Sequence, residues 1–282
     1  RKINKKTACI IPVHMLGSAA RIEEITEIAG QAGIPVLEDT AQAAGGHING
    51  KYLGTYGKCG TFSFDSVKTM TTGEGGMIIT DDPKLYAEMS EYHDHGHDHA
   101  TNPGGRGGEG RSFIGFNYRM MELQGAIGIA QLAKLESMIA AQKNNKNRLK
   151  ESLGSISNIV FRQLLDPTGD SATFLCFTLV DSDHRKRVGK VLQENGAAAI
   201  CWAENSWHFY PKWEHLLAGS TQTRSGWPFT EPGGKRRVVY DPKALPTSAD
   251  LLDRTLVYPI SIRMTETRLQ EMEEAISKAA EA

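Results

Sequence analysis

Over the first half of this chain, short apolar runs that end in polar residues alternate with stretches of helical spacing. That alternation restricts the fold more than any other feature, because strands interleaved with helices stack as α/β layers. Thr7 to Val13 reads as the first strand, and with almost nothing before it the chain is expected to open inside a domain. Ser18 is the expected N-cap of a helix that carries Ile22, Ile25, Ile28 and Ala32, with Gly33 as its stop and Pro35 beyond. Ile34 to Leu37 is the next strand, ending at Glu38-Asp39, and Thr61 to Phe64 and Met77 to Thr80 are two more. These four strands are expected to be neighbours in one sheet. Pro83 to Tyr92 reads as a short helix and Gly104 to Gly110 as a mobile loop.

Between Met121 and Leu153, Leu123, Ile127, Ala130, Leu135 and Ile139 keep one helical register, which predicts a single long helix bridging two domains. Gly125 and Gly128 inside it each cost about 1 kcal/mol, so close approach by a neighbouring backbone is expected there. Beyond it Ala172 to Val180 predicts a strand, His184 to Asn195 a helix and Ala197 to Trp202 another strand. Thr265 then caps a final helix through Leu269, Met272, Ile276 and Ala279. At 282 residues about two domains are expected. Residues 1–140 form the larger α/β layer and 141–282 a smaller α+β unit.

Charge and cysteine usage exclude several classes. With 32 basic and 33 acidic residues the formal net charge is −1, so there is no global field to hold nucleic acid or an anionic membrane. No apolar run is long enough to predict a membrane span. Cys9, Cys59, Cys176 and Cys201 are scattered without metal-site or disulfide spacing, and no signal-peptide core follows the basic opening residues, so a cytoplasmic chain is expected.

Two motifs fail on context. Gly105 to Gly110 matches G-x-G-x-x-G, but no strand precedes it and no helix opens from it. Lys68-Thr69 resembles the end of a phosphate loop, yet Val67 stands where glycine is required. A third segment places His93, His95, His97 and His99 at alternate positions, which on an extended strand would face one way and bind a metal. The preferred alternative is a polar loop using histidine for hydrogen bonds near an anionic ligand, because catalytic metal sites draw ligands from separated elements. No metal is expected.

The informative constellation is Glu38-Asp39-Thr40-Ala41-Gln42 at one strand end and Phe62-Ser63-Phe64-Asp65-Ser66-Val67-Lys68 at another. Ligands of α/β proteins gather at the carboxyl edge of the sheet. An acid, an amide, a hydroxyl and one lysine converging there suit a pyridine aldehyde cofactor: the lysine binds it covalently and the carboxylate pairs with its protonated ring nitrogen. The polar turn from Thr69 to Gly76 then surrounds the lysine.

With these residues in view, the chain resembles the DegT/StrS-type sugar aminotransferases, enzymes with pyridoxal 5′-phosphate on the fold of aspartate aminotransferase. The matching stretches are IIPVHMLGSAARIEEI, VLEDTAQAAGG, GTFSFDSVKTMTTGEGGMIITDD, the HDHG segment and GFNYRMMELQGAIGIAQL, from residue 8 to about 135. The resemblance implies a PLP-dependent transferase of fold type I, with a large three-layer α/β/α domain, N-terminally incomplete, and a small C-terminal α+β domain. It implies Lys68 as the cofactor lysine, Asp39 on the pyridine nitrogen, Gln42 near the ring hydroxyl and Ser63 on the phosphate. Asn117 is implied as a phosphate contact to the partner subunit's cofactor in a homodimer with shared active sites. The local alternative for Asn117 is a loop residue capping the helix that starts near Met121. Relatives with histidine at the lysine position dehydrate sugars instead, so Lys68 implies amino transfer. Family members also carry an opening segment, with a phosphate turn and a side chain over the cofactor ring. Nothing here corresponds to it, so weak cofactor binding is expected.

More narrowly, VKTMTTGEGG, HDHGHDHA, DPTGDSATF and NSWHFYPKWEHL resemble the subgroup that makes 8-amino-3,8-dideoxy-manno-octulosonate for lipopolysaccharide. The implied partners are glutamate, giving 2-oxoglutarate, and an 8-oxo sugar acid. Two alternatives stand: an aminotransferase for a nucleotide-linked keto sugar, and a catalytically inactive fragment acting as a binding protein.

Overall fold

The computed structural model describes residues 2–98, 110–111, 113–231, 234–235 and 237–281. The Gly-rich stretch 105–109 and His99 lie outside the described residues. The chain divides into two compact units, 1–144 with 164–173, and 145–163 with 174–282.

The first unit contains α1 (Ile22–Gln31), β1 (Leu37–Asp39), β2 (His47–Ile48), β3 (Lys51–Tyr52), β4 (Cys59–Ser63), β5 (Gly76–Ile79), α2 (Pro83–His93) and α3 (Glu122–Leu132). It ends inside α4 (Leu135–Leu153), which passes into the second unit after Asn144. Its sheet runs β1-β4-β5, with β1 parallel to β4 and β4 antiparallel to β5. The opening segment lies beside β1 as two parallel bridges, Ile10 to Val36 and Val13 to Asp39, and not as a continuous strand. Pro12 interrupts the ladder because it has no N–H to give. The four predicted strands are therefore sheet neighbours in chain order.

Helix α1 departs from its predicted start and face. Arg21 occupies the N-cap without a side-chain cap bond, while Ser18 Oγ donates to Asp170 at 3.2 Å. The buried face is Ile22 and Ala29, with Ile25 partly buried against the same cluster, whereas Ile28 is exposed. A step of three then four residues follows the 3.6-residue turn better than the predicted run. Helix α2 starts as its residues dictate: Asp82 accepts from the N–H groups of Lys84 and Leu85 at 2.9 and 3.0 Å, and Pro83 fills the first turn.

The predicted helix 121–153 is two helices. At Ala133–Lys134 the ladder tightens to an i→i+3 bond from Lys134 N–H to Gln131 O, and α4 restarts at Leu135. Periodicity cannot see this break, because the apolar residues on both sides keep one register. A methyl group on Gly125 would meet nothing within 4 Å, and one on Gly128 would meet only the Thr72 side chain at 3.4 Å, so no backbone approaches either glycine among the described residues.

The second unit contains β6 (Val160–Phe161), β7 (Phe174–Thr178), α5 (Ser182–Glu194), β8 (Ile200–Cys201), α6 (Glu214–Ala218), α7 (Pro246–Asp253), β9 (Thr255–Pro259) and α8 (Glu266–Ala279). Its antiparallel sheet has the order β6-β7-β9-β8. Leu149 and Leu153 of α4, Val188 and Leu192 of α5, and Leu269 and Ile276 of α8 join Phe177 and Leu256 in one buried cluster. Thr265 caps α8 as expected, accepting from Arg268 N–H at 3.2 Å. Arg148 braces α4 to α8 through a two-pronged contact with Glu273, at 2.5 and 2.8 Å.

Candidate active site

The carboxyl ends of β1 and β4 lie side by side, because the two strands pair in parallel with Asp39 opposite Thr61. Thr40 N–H extends the ladder to Thr61 O at 2.9 Å, so Asp39 and Ser63 emerge at the same edge of the sheet. Asp39 Oδ1 accepts from Ala41 N–H at 3.1 Å, which holds the carboxylate against the turn that leads to Gln42. Gln42 Oε1 accepts from Leu16 N–H at 2.8 Å, and its carbonyl accepts from Thr173 Oγ1 at 3.2 Å.

Ser63 is the last residue of β4, opposite Gly76 of β5, and its Oγ accepts from Asp65 N–H at 3.4 Å. Lys68 follows on a loop closed at its neck. Phe64 N–H donates to Gly75 O at 2.9 Å and Thr72 N–H donates to Phe64 O at 3.0 Å, while Lys68 N–H returns to Asp65 O at 3.0 Å. The closure needs glycine: Gly73 and Gly75 have φ of 82° and 140°, and a Cβ at Gly75 would lie 2.9 Å from Thr72 Oγ1. Hydrogen bonds of Asp65 to Ser66 Oγ and Val67 N–H hold its carboxyl below the ordinary range.

Asp39, Gln42 and Ser63 are thus brought together at one edge, with Lys68 half-buried on the loop that leaves it. Asn117 is not brought to this group. It is exposed and pairs with Asp94 in an isolated antiparallel bridge, and the N-cap of α3 is Met121, so the capping alternative fails. The donor set fits pyridoxal 5′-phosphate: one amine, one carboxylate, one hydroxyl and one amide from adjacent strand ends, beside a turn too tight for a side chain.

In the histidine segment, ligand atoms of Asp94, His95 and His97 lie within 4.8 Å of one another. The Arg119 guanidinium sits on the Asp94 carboxylate, and His95 Nδ1 is 3.2 Å from the same oxygen, Oδ1. Asp94 is held below the ordinary carboxylate range: burial raises it, but its bonds to His95 and Arg119 outweigh that. A fixed positive group inside the cluster opposes a cation there.

Residue patterns gave no role to His14. Its Nε2 is 3.0 Å from Glu38 Oε2, and both side chains are fully buried immediately behind Asp39. Nothing local marks this pair, since 24 residues separate its members.

Comparison with known proteins adds three findings. A profile of the DegT/DnrJ/EryC1/StrS aminotransferase family matches residues 1–231. GDP-perosamine synthase of Escherichia coli O157:H7 is 35% identical over 167 residues, covering 56% of this chain and 42% of that protein. GDP-perosamine synthase of Vibrio cholerae is 30% identical over 225 residues, covering 77% of this chain and 57% of that one. The chain therefore spans about half the length of the curated relatives it matches. Helicobacter pylori PseC, an aminotransferase involved in the biosynthesis of pseudoaminic acid, shares the fold with a TM-score of 0.76 at 18% identity, over 99% of this chain and 68% of that one. The α/β architecture is that of fold type I transferases.

Proposed function

The chain belongs to the DegT/DnrJ/EryC1/StrS aminotransferase family, and on that premise we propose that it is a pyridoxal 5′-phosphate-dependent transferase of an amino group from glutamate to the carbonyl of a sugar. The observation that carries this reading is Asp39 and Ser63 at one sheet edge, on strands that pair in register, with Lys68 on the closed loop that follows. Lys68 binds the cofactor through its amine and, once displaced, moves the proton at the donor's α-carbon. Asp39 would keep a proton on the pyridine nitrogen, Gln42 would hold the ring hydroxyl, and Ser63 would donate to the phosphate. The cofactor, when bound, supplies the electron sink. In this reading residues 1–140 belong to the large cofactor domain and 141–282 to the small one, except that 164–173 pack with the first unit.

For the acceptor, we infer 3,8-dideoxy-8-oxo-manno-octulosonate, supported by the stretches VKTMTTGEGG, HDHGHDHA, DPTGDSATF and NSWHFYPKWEHL. A nucleotide-linked keto sugar is the second reading, favoured by the GDP-linked names of the two relatives. Release of 2-oxoglutarate from glutamate with each acceptor separates them; turnover only with the nucleotide-linked sugar removes the octulosonate reading. Borohydride treatment in the presence of pyridoxal 5′-phosphate is expected to label Lys68, and labelling elsewhere removes the lysine assignment. In a homodimer with shared sites, Asn117 serves the partner's cofactor. Mixing inactive Lys68→Ala and Asn117→Ala subunits is then expected to restore activity, and its absence despite subunit exchange rules sharing out.

A further inference from the structure

The Glu38 carboxylate is fully buried and saturated with donors. Its Oε1 accepts from the N–H groups of Tyr56 and Gly57 at 2.6 and 2.7 Å, and its Oε2 accepts from Gly54 N–H at 2.8 Å. His14 completes the set at 3.0 Å, and the other side of its ring settles the tautomer. Nδ1 faces Ala20 N–H at 3.1 Å and must accept, so Nε2 carries the proton and donates to Glu38. His14 is also tied through its main chain, its N–H donating to Asp39 O at 3.0 Å.

Directly after this anchor the backbone takes a conformation that its residue disfavours. Leu16 has φ 58° and ψ 34°, left-handed for a branched apolar side chain, followed by Gly17 at φ 79°. Such a residue persists only where its surroundings hold it. From that turn the Leu16 N–H reaches Gln42 Oε1 at 2.8 Å. A primary amide has one acceptor end and one donor end, so engaging the oxygen leaves the NH2 as the end Gln42 presents. Among the described residues, no hydrogen bond is made by that nitrogen.

We infer that His14 is a positioning residue: clamped between Glu38 and Ala20, it sets the Leu16 turn, whose N–H orients the Gln42 amide to offer a donor to an oxygen on the cofactor ring. This deepens the cofactor reading and rests on the place of Gln42 in it. An acceptor end at the same position would repel an ionised ring hydroxyl.

Hydrogen exchange on the cofactor-free chain tests the first half. Leu16 N–H, bonded to Gln42, is expected to be protected in the wild type and to exchange at least about tenfold faster in His14→Leu, with the urea midpoint of α8 unchanged. Titration with pyridoxal 5′-phosphate tests the second half. His14→Leu is expected to weaken binding about tenfold when Gln42 is present and not measurably in a Gln42→Ala background, a coupling that a merely structural role does not produce. Should His14→Leu not fold, His14→Lys carries the same cycle, since it keeps a donor for Glu38 and has no acceptor for Ala20. Equal loss in both backgrounds, or Leu16 equally protected without the His14 ring, overturns the proposal. A wild-type chain that binds no pyridoxal 5′-phosphate overturns the cofactor reading instead, and the exchange measurement alone then decides on His14.

Discussion

Phe177 of β7 is fully buried, whereas Ile129 on α3 is 75% exposed. In the second unit, twenty buried residues among those described, from α4, α5, α8, the sheet and the segments between them, form one continuous cluster. In the first, the cluster around α1 and β1 holds six, and the other side carries an open apolar cleft of about 920 Å³ lined by Phe62, Phe64, Met77, Ile129, Leu132 and Ile139. Asp39, Gln42, Ser63 and Lys68 all belong to this less covered unit. The difference teaches that the residues proposed to carry the chemistry and the larger buried cluster are housed apart, so substitutions should separate activity from stability.

The sharpest separation is expected at Lys68. Lys68→Ala should lower transamination by at least about 10³-fold, as loss of both cofactor attachment and proton transfer requires, with an unchanged urea midpoint. Retained turnover would break the comparison at its centre. Phe177→Ala should do the reverse, costing about 3–5 kcal/mol of stability in urea unfolding while turnover per folded molecule stays constant. Asp39→Asn comes next: cofactor remains bound and the rate falls roughly 10²-fold, because a neutral amide cannot hold charge against the ring nitrogen.

A smaller effect concerns acid. Burial pushes the Glu38 carboxyl up, but the bonds from His14, Gly57, Gly54 and Tyr56 outweigh burial and hold it below its ordinary value of 4.5. The folded value is the lower one, so its stabilisation is complete above that ordinary value and is lost as pH falls through the depressed one. Protection factors at Gly54, Tyr56 and Gly57, each referred to the intrinsic exchange rate at the same pH, should therefore fall on acidification, and Glu38→Gln should flatten that dependence. The least effect is expected on the open face, where Ile129→Ser should change stability by no more than about 0.5 kcal/mol while lowering binding of an apolar dye.

What could be read from residues alone was local. Pro83 and Thr265 announce α2 and α8 because a start signal and its helix lie within four positions. The edge bearing Asp39 and Ser63 was legible because each strand ends in the polar residues it delivers. Ser18 misled as a cap because its partner, Asp170, is 152 positions away. The break between α3 and α4 left no trace, as no proline or glycine marks Ala133–Lys134. Strand β9 went unseen, although Thr255 to Pro259 is the central partner of β7 and β8. The His14–Glu38 pair was invisible for the reason that makes it strong: both members are polar and buried, a combination that only tertiary pairing permits.

The return of residues 164–173 to the first unit has a consequence for synthesis. Ser171 N–H and Oγ both donate to Gly17 O, at 3.3 and 3.0 Å, and Thr173 Oγ1 donates to Gln42 O. On a ribosome, then, the strand end bearing Asp39 and the loop bearing Lys68 emerge early, but the Leu16 turn waits for about one hundred and fifty further residues before its lock arrives. A nascent chain halted before residue 164 would carry every proposed cofactor residue and still lack the latch that closes around Gln42.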